Sequence, residues 1–192
     1  TGFIKLLFTT VPMIIDLRSD TITKPTPQMM EAMMNASVGD DVYGEDPTVR
    51  ELEQKASVLF NKEAAMFCAS GTMTNQIAIK CFTNPLEEVI CDEGAHVYYY
   101  EGGGIAFNSA ASTRTLKGKR GIFDPQQVLD NINKNDIHHP KSSLVVIENT
   151  ANRGGGHCWE LLEMQAIAKV CKENNLFLHL DGARVFNAII EK

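Results

Sequence analysis

Short apolar runs recur along the chain, each closed by a carboxylate and followed by a stretch with helical spacing. Val89-Ile90-Cys91 ends at Asp92, Leu144-Val145-Val146-Ile147 at Glu148, and Leu176-Phe177-Leu178-His179-Leu180 at Asp181. These runs are continuous rather than alternating, as expected of strands buried on both faces. Ala64-Ala65-Met66-Phe67-Cys68 reads as another buried strand, and Thr113 to Lys117 as one more. Pro25 and Pro27 bracket Thr26, a plausible cap, and Met29, Met30, Met33 and Met34 follow at helical spacing, a core-packing stripe that Val38-Gly39 ends. Asp46-Pro47 starts a second helix with Val49, Leu52, Ala56 and Leu59 on its buried face. Further helices are expected through Ile77-Ala78-Ile79-Lys80, from Asp124-Pro125 to Asn131, and from Leu161 to Cys171. Strand alternating with helix at this pace predicts an α/β fold, a mainly parallel sheet with helices on both faces.

Composition narrows the partners more than the fold. At 192 residues the chain holds one domain with a proper core, or a large piece of something bigger. The net charge of -6 comes without a dense basic block, so no nucleic-acid partner is expected. No apolar run approaches membrane-spanning length, so no membrane partner is expected either. The five cysteines form no Cys-x-x-Cys pair. That excludes a disulfide framework and a zinc spacing, so no metal is expected and the thiols read as reduced groups in a cytoplasmic protein. Residues 1–12, with Lys5 and Leu6-Leu7-Phe8, read as an upstream extension, Met13 as the natural start, and 13–192 as the folded part.

The candidate chemistry lies where runs end. Asp181 closes its strand and is followed by Gly182-Ala183-Arg184. In an open α/β sheet, ligands sit outside the strand carboxyl ends, so Asp181 either caps the next helix or meets a ligand's ring nitrogen. The turn Ser70-Gly71-Thr72 opens a helix whose free amides form an anion site suited to phosphate, although such turns also occur without a ligand. Gly102-Gly103-Gly104 does not complete a dinucleotide fingerprint, and no Gly-Lys-Ser/Thr is present. His96 follows a strand end beside three tyrosines, placed either as a loop residue or to stack on a planar ring or move a proton. His138-His139 precedes the strand from Ser143, with one ring expected to face a pocket, and Ser19 is able to donate to a carboxylate. A phosphate turn, a stacking imidazole and a strand-end aspartate together fit pyridoxal 5'-phosphate, whose ring nitrogen needs an acidic partner.

Several motifs in order also resemble a family. Ile15 to Thr26, Gly39-Asp40-Asp41-Val42-Tyr43-Gly44-Glu45-Asp46-Pro47-Thr48, Ala69 to Gln76, Glu148-Asn149-Thr150, and His179 to Ala188 are similar to the low-specificity threonine aldolases. The resemblance runs from about Met13 to the chain's end. It implies the large domain of a fold-type-I pyridoxal-phosphate enzyme, an aldehyde-lyase that cleaves L-threonine or L-allo-threonine into glycine and acetaldehyde. Ser70, Gly71 and Thr72 would hold the phosphate, His96 would stack on the ring, and Asp181 would pair with the ring nitrogen. Arg184 would contact the cofactor oxygen and, with Ser19, the substrate carboxylate, while His138 would lie near the β-hydroxyl. A β-hydroxy amino acid is the implied substrate, and a homodimer or homotetramer with a shared active site the implied assembly.

The chain departs from the family pattern at Ala151, where members often carry a histidine after Glu-Asn-Thr. The Schiff-base lysine is expected on a later strand beyond Lys192, so the chain is expected to be the N-terminal part of the cofactor domain and inactive as written. Two other readings remain: a different β-eliminating or β-hydroxy-amino-acid lyase on the same scaffold, and a non-catalytic remnant of the fold.

Overall fold

A computed structural model describes residues 15–192, so the upstream extension expected at 1–12 lies outside the described residues. The chain divides into two compact units, Thr1–Phe67 and Cys68–Lys192.

The described part of the first unit is helical. Thr26 caps α1 (Pro27–Met34) by accepting from the Met29 N–H, and Asp46 caps α2 (Pro47–Leu59) by accepting from Thr48 and Val49. The second oxygen of Asp46 accepts from the Gly39 N–H at 3.1 Å, which clasps the acidic loop between the helices. A side chain at Gly39 has no room, because its Cβ would stand 2.4 Å from the Glu45 carbonyl oxygen.

Three expectations fail in this unit. The methionine stripe is exposed, from 48% at Met30 to 81% at Met34, and α1 ends at Met34, before Val38-Gly39. Neither α1 nor α2 buries a residue, Leu52 and Leu59 included. Periodicity marks an apolar stripe but not what covers it, and two short helices offer no second layer. Ala64 to Cys68 forms no strand, and Met66 and Phe67 are exposed. The Phe67 N–H goes to the Glu53 carboxylate at 2.8 Å, so a side chain takes a donor that a ladder would need.

The second unit matches the sequence pattern closely. Strands β1 (Glu87–Asp92), β2 (Ser112–Leu116), β3 (Lys141–Glu148) and β4 (Phe177–Asp181) form one parallel sheet in the order β2-β1-β3-β4. Along the central strands β1 and β3 successive side chains alternate between two buried faces, which is why these two read as unbroken apolar runs, while the edge strands β2 and β4 are only partly buried. Ile90, Val145 and Ile147 pack on one side with Val128, Ile167 and Trp159. These partners come from or adjoin α6 (Pro125–Asn131) and α7 (Leu161–Glu173). Val89, Cys91, Leu144 and Val146 pack on the other side with Ile79 and Ile105, from α3 (Gly71–Phe82) and α5 (Gly104–Ser109). Each fully buried Val or Ile contributes roughly 1.5–3 kcal/mol through burial. The remaining helices are α4 (His96–Tyr99), following β1, and α8 (Val185–Glu191), following β4.

Parallel pairing aligns the strand ends. Glu148 stands opposite Asp181, and the Asn149 N–H donates to the Asp181 carbonyl at 2.9 Å. Trp159 ties the same corner by donating its indole N–H to the Glu148 carbonyl at 3.1 Å. Neighbouring strands β1, β3 and β4 therefore finish on Asp92, Glu148 and Asp181 along one rim.

Candidate functional site

Asp181 is 5% exposed at the end of β4. Arg184, not Asp181, occupies the N-cap position of α8, so the capping alternative fails. The Asp181 Oδ1 accepts from the Ala183 N–H at 3.3 Å, and its Oδ2 accepts from the Asn75 amide at 3.0 Å. Asn75 is in α3, four residues after Gly71, so the helix that opens at the Ser-Gly-Thr turn comes down onto the same strand end. That separation is about 6 Å along the axis.

The turn itself is built as expected of an anion site. Ser70 caps α3, its hydroxyl accepting from Met73 at 3.1 Å. Gly71 and Thr72 come next, and N–H groups in a first helical turn have no intrahelical acceptor. A Cβ on Gly71 would meet nothing within 4 Å, so packing inside the chain does not require glycine there. Ser70 and Thr72 also border an open groove of about 580 Å³ along α3.

His96 opens α4 just beyond β1, its backbone N–H donating to the Glu148 carboxylate at 3.0 Å. The imidazole Nδ1 lies 3.0 Å from Glu101, whose side chain is wholly buried, while the His96 side chain is 36% exposed. The ring packs against Tyr100 with centroids 5.5 Å apart. Polar atoms of His96, Glu101 and Asp181 all lie within 4.8 Å of one another. Burial pushes the pKa of Glu148 up, opposed by the N–H groups of Asn152 and His96.

The structure thus brings His96 and Asp181 together, and the helix that opens at Ser70-Gly71-Thr72 reaches Asp181 through Asn75, with Arg184 three residues beyond Asp181. Ser19 belongs to the first unit, where its hydroxyl caps a short helical turn over Asp20–Ile22. His138 needs correction. It lies exposed before the amino end of β3, in a groove with Leu86, Ser112 and Pro140. Asp181 pairs with the far end of that strand, and an eight-residue strand spans about 23 Å. The residue preceding a parallel strand and the residue ending one stand on opposite rims, so His138 is not part of this site. Ala151 is buried, near Gly121 and Gly154.

Four polar residues in the site escaped the sequence reading. Asn75 and Gln76 lie one turn into α3, Glu101 beside the glycine run, and His179 two positions before Asp181 and therefore on the same face. The spacing of Asn75 from Gly71, and of His179 from Asp181, was the available signal.

The beta-eliminating lyase family model matches residues 16–191. A probable low-specificity L-threonine aldolase 2 from Arabidopsis thaliana is 40% identical over 180 residues, covering 92% of this chain and 51% of that protein. The low specificity L-threonine aldolase of Escherichia coli K12 is 40% identical over 178 residues, covering 92% of this chain and 53% of the relative. Among solved structures, a Leishmania major threonine aldolase superposes with a TM-score of 0.73 at 27% identity, over 84% of this chain and 46% of that one. The chain spans about half the length of the curated relatives it matches. The α/β architecture expected from the sequence, that of the fold-type-I pyridoxal-phosphate enzymes, is the one observed. With the family model running from Asp16, just before the first helical turn, to Glu191, the last residue of α8, the chain belongs to the beta-eliminating lyase family.

Proposed function

We propose that the protein encoded by the complete gene is an aldehyde-lyase that cleaves L-threonine or L-allo-threonine to glycine and acetaldehyde with pyridoxal 5'-phosphate. The observation that carries this reading is the meeting of buried Asp181, the His96–Glu101 pair and Asn75 in the first turns of α3 at one strand end. The donor set fits the cofactor: an acidic group for a basic ring nitrogen, an imidazole for a planar ring, and a helix start with an open glycine for a phosphate. When bound, the cofactor supplies the electron sink for the bond that breaks.

The chain's own residues divide the remaining work. Asp181 holds the proton on the ring nitrogen. Ser70, Gly71 and Thr72 bind the phosphate through hydroxyl and backbone N–H groups. Arg184 receives the substrate carboxylate. His96 engages Glu101 through Nδ1, which leaves Nε2 to accept the β-hydroxyl proton as the carbon–carbon bond opens. That assignment gives His96 the role first expected of His138. The exposed methionines of α1 call for a covering surface, and a second copy in a homodimer or homotetramer would provide it. Among the described residues no helix is long and apolar enough to cross a membrane, and the cysteines are unpaired. The cysteine pattern supports a cytoplasmic location.

The test is acetaldehyde release from both threonine diastereomers by the complete gene product with added pyridoxal phosphate. Equal amounts of acetaldehyde and glycine are expected. Ammonia with a keto acid instead would reassign the site to β-elimination, and no turnover of either substrate would remove the lyase reading.

A further inference from the structure

The polar network beneath the site is asymmetric in a way that determines its proton positions. Asn75 lies between two buried carboxylates, its Nδ2 2.9 Å from Glu101 and 3.0 Å from Asp181. Its Oδ1 faces His179 Nε2 at 2.9 Å. Turning the amide over would point a carbonyl oxygen at both carboxylates, so only one orientation satisfies all three neighbours. With Oδ1 toward the ring, His179 must carry its proton on Nε2 and donate it. Burial lowers the His179 pKa, with the acidic neighbours Asp181 and Glu101 opposing.

Glu101 is filled from three directions. Oε1 accepts from Asn75 and faces His96 Nδ1, and Oε2 accepts from Gln76 at 2.6 Å. Gln76 is itself fixed by Asn108, which donates to its Oε1 at 3.2 Å. One amide therefore bridges the carboxylate proposed to meet the ring nitrogen and the carboxylate that orients the imidazole.

We propose that Asn75, oriented by the Nε2–H of His179, is a positioning residue that holds Asp181 and Glu101 apart, so that one faces the cofactor ring nitrogen while the other aims His96. This rests on the cofactor reading above. Without the amide both carboxylates lose the N–H group that fixes their direction, and Asp181 no longer aims its oxygen at the ring nitrogen. His179 acts one step further away, by preventing the amide from turning over.

The experiment uses the complete gene product loaded with pyridoxal phosphate carrying ¹⁵N in its ring. It records the ring-nitrogen chemical shift, cofactor affinity by equilibrium dialysis, and the melting curve. Wild type should give the shift of a protonated pyridine. Asn75→Leu and His179→Phe should move the signal toward the neutral pyridine and weaken cofactor binding by about tenfold. His179→Gln, which restores an N–H donor near the same place, should return the wild-type signal. If Asn75→Leu does not fold, the two His179 variants decide: a shifted signal in Phe but not in Gln supports the assignment, and equal signals overturn it. Folded variants with the wild-type shift and affinity overturn the inference alone. A wild-type protein that binds no pyridoxal phosphate overturns the cofactor reading and the inference with it.

Discussion

Glu88 and Glu101 are two buried glutamates associated with opposite ends of one sheet, and they are held by different chemistry. Glu88, at the amino end of β1, accepts from the Arg114 guanidinium at 2.8 Å, from Asn133 at 2.9 Å and from the Ser142 hydroxyl at 3.3 Å. Arg114 also donates to Asn133 at 2.9 Å, closing the cluster on itself. Glu101 has two amides and an imidazole instead. A guanidinium is charged at every accessible pH and fits a carboxylate in a fixed geometry. An imidazole changes charge in the physiological range and turns one nitrogen elsewhere when the other is engaged. The first arrangement ties three strands together, while the second leaves a ring available to a ligand.

The sharpest way to break this contrast is at the ligand end. Asp181→Asn removes the carboxylate proposed for the ring nitrogen, and threonine cleavage by the complete gene product should fall by about 100-fold with the circular dichroism unchanged. Glu88→Gln should act the other way: unfolding in urea should show a loss of about 2 kcal/mol, with activity per folded molecule retained. Glu101→Gln is the matched partner and should lower kcat by about tenfold while costing less stability than Glu88→Gln, because its effect passes through His96. Equal stability losses for the two would erase the distinction.

Acid adds a smaller effect of known sign. His179 has its pKa lowered from 6.5 by burial, so the folded state binds fewer protons than the unfolded one. Its contribution to stability is complete above about pH 6.5 and is lost as pH falls below that value toward the folded pKa. Glu148 works oppositely, since its raised pKa gives stability that is complete below about 4.5 and lost as pH rises through the folded value. His179→Gln should therefore flatten the stability profile on the acid side of 6.5, measured by urea melts across pH. Smallest of all is His138→Ala, which should leave kcat/KM unchanged within about twofold. A larger loss would contradict its position before the amino end of β3.

What could be read beforehand follows the same division. β1 and β3 were legible because a strand buried on both faces needs apolar residues without interruption, the partly buried edge strand β4 because its run closes on Asp181, and only Ala64 to Cys68 imitated that pattern without a ladder. Asp181 and the Ser70-Gly71-Thr72 turn were legible because their chemistry lies at boundaries between elements. Met29 to Met34 were misread because helical spacing reports a stripe and not its cover. His138 was misplaced because the motif was read by its nearness to a strand without asking which end of a parallel strand it precedes. Glu101 and Asn75 met only through folding: 26 positions separate them, and 106 separate Asn75 from Asp181.

Those separations contrast with the clasp in which Asp46 accepts from Gly39, seven residues away, and from Thr48 and Val49 just beyond it. A loop of that size closes in about 10–100 ns, so the acidic turn forms early in the life of the chain. Pairing of β1 with β3 has to close 54 residues first, and its entropic cost delays it. Pulse-labelling of amide hydrogens during refolding should find the Gly39, Thr48 and Val49 amides protected before those of Val145 and Ile147.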